Sequence, residues 1–147
     1  MKTTIQLSLI ALAAILFSAC APRIAGNWTV QRYEAITLGQ QQGSSFNNIG
    51  TMSFDKKGTG EKDISYSVLG AVQQDKSPFE WTSYHNDEYI SIKSEGSNLS
   101  KTWIVVVNKR KHQIWKSTDG TNIIHVLELV KKKEEKPKDD IPKKVEK

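Results

Sequence analysis

Hydrophobic and polar residues alternate along most of this chain with a period of two. In Asn27–Glu34, Trp28 and Val30 share one face, and Arg32 falls on it two steps further on. Gly50–Phe54 places Met52 with Phe54. Lys62–Leu69 does the same for Ile64, Tyr66 and Val68, and Phe79 pairs with Trp81. Ile90 and Ile92 align within Tyr89–Lys93. Leu99–Val107 carries Trp103, Val105 and Val107 opposite Ile104 and Val106. His112–Lys116 contains Trp115, and Thr121–Val130 is rich in Ile, Val and Leu. Turn signals separate these runs: Asp55-Lys56-Lys57-Gly58, Asn86-Asp87, Glu95-Gly96-Ser97-Asn98 and Thr118-Asp119-Gly120. The pattern predicts about eight short strands and no amphipathic helix. The expected fold is therefore all-β, an eight-stranded antiparallel up-and-down barrel, with an antiparallel β-sandwich as the alternative. Ile36–Asn48 and Gly70–Ser77 break the alternation and are expected to be long loops.

Both ends depart from this pattern. Ile5–Phe17 is apolar except for Gln6 and Ser8, follows Lys2, and exits through Ser18 and Ala19. A positive start, a short apolar run and a small-residue exit make a secretory signal peptide. Lys131–Lys147 mixes Lys, Glu, Asp and two prolines with no aromatic residue, so a disordered, solubilising tail is expected. The divisions that result are 1–19 (signal peptide), 20–25 (tether), 26–130 (one β domain) and 131–147 (tail).

The formal net charge is +5. Between Ile24 and Leu129 acids and bases balance, so the excess belongs to the ends. A folded part without basic excess argues against a nucleic-acid partner. There is one cysteine, Cys20, which excludes an intramolecular disulfide. No histidine pair among His85, His112 and His125 has metal-site spacing. There is no Gly-x-Ser-x-Gly, phosphate loop or His-Glu-x-x-His. The carboxylates Asp63 and Glu80 alternate away from their apolar neighbours and are expected in solvent. The chain is expected to be no enzyme and to need no metal or cofactor. His125 alternates with Ile123 and Leu127 and is expected in the core or at its rim.

Leu16-Phe17-Ser18-Ala19-Cys20 resembles the lipobox of bacterial lipoproteins. That resemblance implies cleavage before Cys20, a diacylglyceryl group on its thiol and a further acyl chain such as palmitate on its amino group. Two or three chains anchor durably where one anchors only marginally. Ala21-Pro22-Arg23 has no acidic residue, and the expected location is the periplasmic face of the outer membrane. Only five residues separate Cys20 from Gly26, a reach of at most about 18 Å. The start of the first strand is thus expected near the bilayer, with the tail beside it. Arg32, Glu34 and the Asn108–Lys111 hairpin tip are expected at the far end.

Gly26-Asn27-Trp28, followed by Gly50–Phe54, Gly58-Thr59-Gly60 and Phe79-x-Trp81, resembles the short lipocalin-like (calycin-type) domains of bacterial lipoproteins. The resemblance implies a barrel whose tryptophan plugs the closed end and whose open end takes a small apolar ligand. Lipocalins also carry an arginine near the last strand, packed over that tryptophan; here only Lys131 to Lys133 lie nearby. The inward aromatics of such a barrel either line a cavity or fill it. The candidate ligand-binding residues are Arg32, Tyr66, Trp81 and Trp115, with Arg32 suited to an anionic head group unless it pairs with Glu34. Two functions follow: binding of a small apolar or amphipathic ligand, or a structural or protein-interaction role in the envelope with a filled barrel. A monomer is expected.

Overall fold

The computed structural model describes residues 22–39, 43–118, 120 and 122–132. The apolar run Ile5–Phe17, Cys20 and the tail beyond Lys132 lie outside them.

Nine strands form one antiparallel sheet: β1 (Gly26–Thr37), β2 (Gly43–Phe54), β3 (Thr59–Val68), β4 (Ala71–Asp75), β5 (Pro78–Tyr84), β6 (Tyr89–Lys93), β7 (Thr102–Lys109), β8 (His112–Thr118) and β9 (Ile123–Lys131). β9 returns to pair with β1, and β2 pairs with both β1 and β3, so the ring closes. β4 and β5 are two halves of one strand. Ile64 faces Asp75 and Glu61 faces Pro78, one unbroken register against β3, interrupted at Lys76–Ser77. The ring is therefore an eight-stranded up-and-down barrel, and the sandwich alternative is excluded.

Two expected loops are largely strand. β1 runs on to Thr37 and β2 begins at Gly43, so most of Ile36–Asn48 is a paired ribbon. Its alternation is weak because Gly43, Ser44 and Ser45 are all exposed, and strand pairing there rests on backbone hydrogen bonds. Likewise, Gly70–Ser77 contains β4, exposed through Gln74.

The central bend of the ribbon sets which residues face inward. Val30 pairs with Leu129 and Arg32 with Glu128, so Gln31 is an extra, bulged residue. A bulge of one residue flips every later side chain. Before it, Trp28 and Val30 face the core; after it, Tyr33 does. Arg32 is consequently on the outer wall. Opposite the bend, Gly50 has φ 142°, and a Cβ there would stand 1.9 Å from the Asp63 carbonyl oxygen, inside the β2–β3 ladder. Only glycine lets the two strands approach this closely.

The core is continuous through the ring. Trp28, Val30, Trp103, Trp115, Leu127 and Leu129 are wholly shielded from solvent, and Met52, Phe54, Ile64, Ile90 and Ile92 are nearly so. Asp63 and Glu80 are exposed as expected. Each even-numbered strand of the ring runs back toward the end where β1 starts. β7 is the sixth, so the Asn108–Lys111 tip lies beside Arg23, whose guanidinium donates to the Asn108 carbonyl at 3.2 Å. The tip is thus at the same end as the beginning of β1, not at the far end. Lys132 donates its backbone N–H to the Asn27 carbonyl at 3.0 Å, which puts the end of β9 there as well.

Candidate functional site

The closed end is built around Trp28. Its indole N–H donates to the Ile24 carbonyl at 2.6 Å, which folds residues 22–25 across the base. Lys131 Nζ lies 4.8 Å from the center of the indole ring and donates to the Ala25 carbonyl at 2.7 Å. A Cβ on Gly26 would fall 2.7 Å from that same Nζ. The glycine of Gly26-Asn27-Trp28 therefore leaves room for the cation that covers the tryptophan. Lys131 thus covers the tryptophan where the resemblance noted above would put an arginine, with a cation–π contact on the ring face. It is also the last residue of β9.

Aromatic rings fill the center. Phe54 lies 5.1 Å from Phe79, 5.7 Å from Trp81 and 5.8 Å from Trp115, each edge to face. Trp81 and Trp115, two of the candidate ligand residues, thus belong to the packed center. The Trp81 indole N–H is shared between the Asp55 and Thr59 carbonyls, and that of Trp115 is given to Gln113 Oε1. Their polar atoms are spent inside the fold.

Toward the open end the packing loosens. Tyr33, Phe46, Tyr66 and His125 form an aromatic group, with Phe46 and Tyr66 4.7 Å apart and the Tyr33 hydroxyl 3.0 Å from His125 Nδ1. A cup of about 70 Å³ opens here between Tyr33, Ile49, Ile64, Tyr66 and Leu99. Gln73, Gln74 and Asn98 add polar groups around it. The β6–β7 connection lies against this end: Leu99 is buried, Asn98 Nδ2 donates weakly to the Tyr66 hydroxyl at 3.4 Å, and Ser97 donates to Asp75.

Beneath the cup is a buried cation. Lys62 faces inward with no side-chain exposure. Its Nζ donates to Ser94 Oγ at 2.6 Å, Ser77 Oγ at 2.7 Å and the Ser77 carbonyl at 3.1 Å, and pairs with Asp75 at 2.9 Å. Ser77, at the interruption between β4 and β5, thus turns its polar groups to Lys62. Burial pushes the Asp75 carboxyl up. The hydrogen bonds from Ser97, Lys62 and Ser77, together with the Lys62 charge, outweigh that and leave it below the usual carboxylate range.

Arg32, placed on the inward face by its parity, lies on the outer wall, where it makes the expected alternative, an ion pair with Glu34 at 2.7 Å, and a second with Glu128 at 2.8 Å. Glu128 also meets His112 Nε2 at 2.8 Å. Burial raises the Glu128 carboxyl, but Arg32 and His112 more than compensate and hold it low. The network is partly exposed, so Arg32→Met is expected to cost no more than about 1 kcal/mol in urea unfolding. A loss of several kcal/mol would show that Arg32 supports the interior.

Of the four candidate residues, Tyr66 alone lines the cup. Tyr33, Ile49, Leu99 and Asn98 were not singled out by sequence. The one trace of Tyr33's role is that the apolar position of β1 passes from even to odd numbers after Val30.

No protein-family model matches the chain, and no curated protein does so. Among solved structures, the chain is similar to the siderocalin Ex-FABP, with TM-score 0.44 and 17% identity over 78% of each chain. It is similar to a deswapped triple mutant of bovine odorant-binding protein, with TM-score 0.42 and 19% identity over 75% of this chain and 74% of that one. A redesigned β-barrel gives TM-score 0.42 and 13% identity over 79% of this chain and 99% of its own.

Proposed function

We propose that this chain is a lipid-anchored envelope protein, tethered through Cys20, whose lipocalin-like barrel binds the end of a small amphipathic ligand at its mouth. The observation that carries the reading is the cup between Tyr33, Tyr66, Ile49, Ile64 and Leu99, bordered by the amides of Gln73, Gln74 and Asn98 and by the Asp75 carboxyl. Its size limits the ligand. Drug-sized ligands occupy pockets of about 300–1,000 Å³, and a dry cavity of about 150 Å³ holds one benzene ring. A cup of about 70 Å³ takes a short alkyl end, with the polar part of the ligand left among Gln73, Gln74 and Asn98. Residue 22, the first described, lies at the end opposite the mouth, so an anchor at Cys20 would leave the ligand to be met from the aqueous side, here assigned to the periplasm.

The same small volume and the packed aromatic center favor a second reading: a filled barrel that acts through protein contacts in the envelope. Mass spectrometry of the protein taken from the membrane fraction separates the two. Acylation appears as a covalent mass on Cys20 that Cys20→Ser removes; persistence of that mass in the variant would refute the anchor. A ligand appears as a noncovalent mass under native conditions. Leu99→Trp, which narrows the cup, is expected to lower its occupancy about tenfold, equivalent to roughly 1.4 kcal/mol. No bound mass in the wild type would favor the filled-barrel reading.

A further inference from the structure

The charge of the folded barrel is neutral in total but not in distribution. The β2–β3 turn presents Lys56 and Lys57, and the β7–β8 turn presents Lys109, Arg110 and Lys111, all exposed. Arg23, before β1, and Lys132, after β9, are exposed at the same end. The acids there are Asp55, Asp87, Glu88 and Glu61, the last beside Lys132. Asp87 is already engaged, accepting from Ser83 and from the Arg23 backbone N–H. Seven exposed bases thus stand against four acids on one face. Among the described residues, the connections at the mouth carry Glu95 and Lys101, which balance, and expose Leu38 and Leu69.

Two further features belong to the basic end. Pro22, Arg23, Lys56, Lys109, Arg110 and Lys131 border an open groove of about 720 Å³. Tyr84 and Tyr89 flank the β5–β6 turn, 46% and 37% exposed. They pair across the strands, and Tyr89 faces Ile104, itself 52% exposed, on β7. This makes an apolar flank next to the cationic face.

We propose that this end of the barrel is a docking face for an anionic lipid surface, with the basic turns on the head groups and Tyr84 and Tyr89 at the interfacial level. Clustered lysines and arginines within a Debye length of an anionic membrane are drawn to it, and exposed tyrosines favor the boundary between water and acyl chains. A bilayer fits better than an acidic protein. Residue 22, the first described, lies at this end, and Cys20, the anchor proposed above, precedes it by two residues in sequence. The choice of a bilayer rests on that anchored reading; it does not depend on a ligand in the cup.

The test is hydrogen exchange of the full chain reconstituted into vesicles of phosphatidylcholine alone or with about one-third phosphatidylglycerol. With anionic lipid, amides of the 55–58 and 108–112 turns are expected to exchange about tenfold or more slowly, while those of 68–71 and 94–98 do not change. About 0.5 M salt, which shortens the screening length to a few ångströms, should abolish the effect. So should Lys109→Glu with Arg110→Glu, and Lys56→Glu with Lys57→Glu serves as a second variant at the other turn. Unchanged exchange of the core strands checks that both pairs fold. Equal slowing in the two lipids, no slowing in either, or slowing at the mouth would overturn the proposal.

Discussion

Replacing Trp28 with alanine is expected to remove about 3–5 kcal/mol of stability, the usual cost of truncating a large buried aromatic side chain. The effect should fall at the high end because the ring holds more than its own volume. It has no solvent exposure and its N–H ties down the Ile24 carbonyl. Its face is covered by Lys131, which in turn holds the Ala25 carbonyl. Loss of the indole therefore frees residues 22–25 and uncovers the base of the barrel. With total stability of roughly 5–15 kcal/mol for a domain of this size, the variant should be close to unfolded at ordinary temperature. Urea melts decide the matter, and a change below about 1 kcal/mol would show that the closed end is not sealed by this residue. A cycle combining Trp28→Phe with Lys131→Met should show coupling of about 0.5–2 kcal/mol, the range of a cation–π contact.

Asp75→Ala is the second change with a large expected effect, about 3–5 kcal/mol, because it leaves the buried Lys62 ammonium without its counter-charge. The pair is asymmetric. The Lys62 side chain is wholly buried, whereas Asp75 retains 21% exposure and donors from Ser77 and Ser97. Lys62→Met should therefore cost less than Asp75→Ala, and Lys62→Met with Asp75→Leu less than the two single costs added. The pH dependence follows from the direction of the Asp75 shift. A carboxyl lowered in the native state contributes its full stability above its unfolded value, here 3.8. The contribution is lost as pH falls from there through the lower native value. The stability difference between wild type and Asp75→Ala should accordingly shrink in acid. A difference independent of pH from neutrality to below pH 3.8 would show that the charge of Asp75 is not what Lys62 needs.

The alternation of Trp28, Phe54, Tyr66, Phe79, Trp81 and Trp115 was enough to read the barrel and its interior, since period-two burial is a local property of a strand. The mouth was less legible. The bulge at Gln31 has no side-chain signature, yet it puts Arg32 outside and Tyr33 inside. Gly43–Asn47 and β4 are strands held largely by backbone pairing, with most side chains other than Phe46 and Asp75 left in water, so their composition is that of loops. Lys62 shares the inward parity of Ile64, but a lysine at such a position means something only once Asp75, Ser77 and Ser94 are brought around it from distant parts of the chain. The site's small volume is a three-dimensional property that no strand reveals alone.

The interruption at Lys76–Ser77 has a consequence for association. A closed barrel offers no sheet edge on which another chain can add a strand, but dividing one strand into β4 and β5 leaves β4 as the margin of the sheet. That margin is five residues long, carries Gln73 and Gln74, ends at Asp75 and is followed by the exposed Lys76. Short length, polar side chains and a terminal charge are what keep exposed edges from recruiting copies of themselves. Were β4 longer and apolar throughout, with Val72 within it and Leu69 before it already exposed, the same interruption would offer a template for chain-to-chain growth.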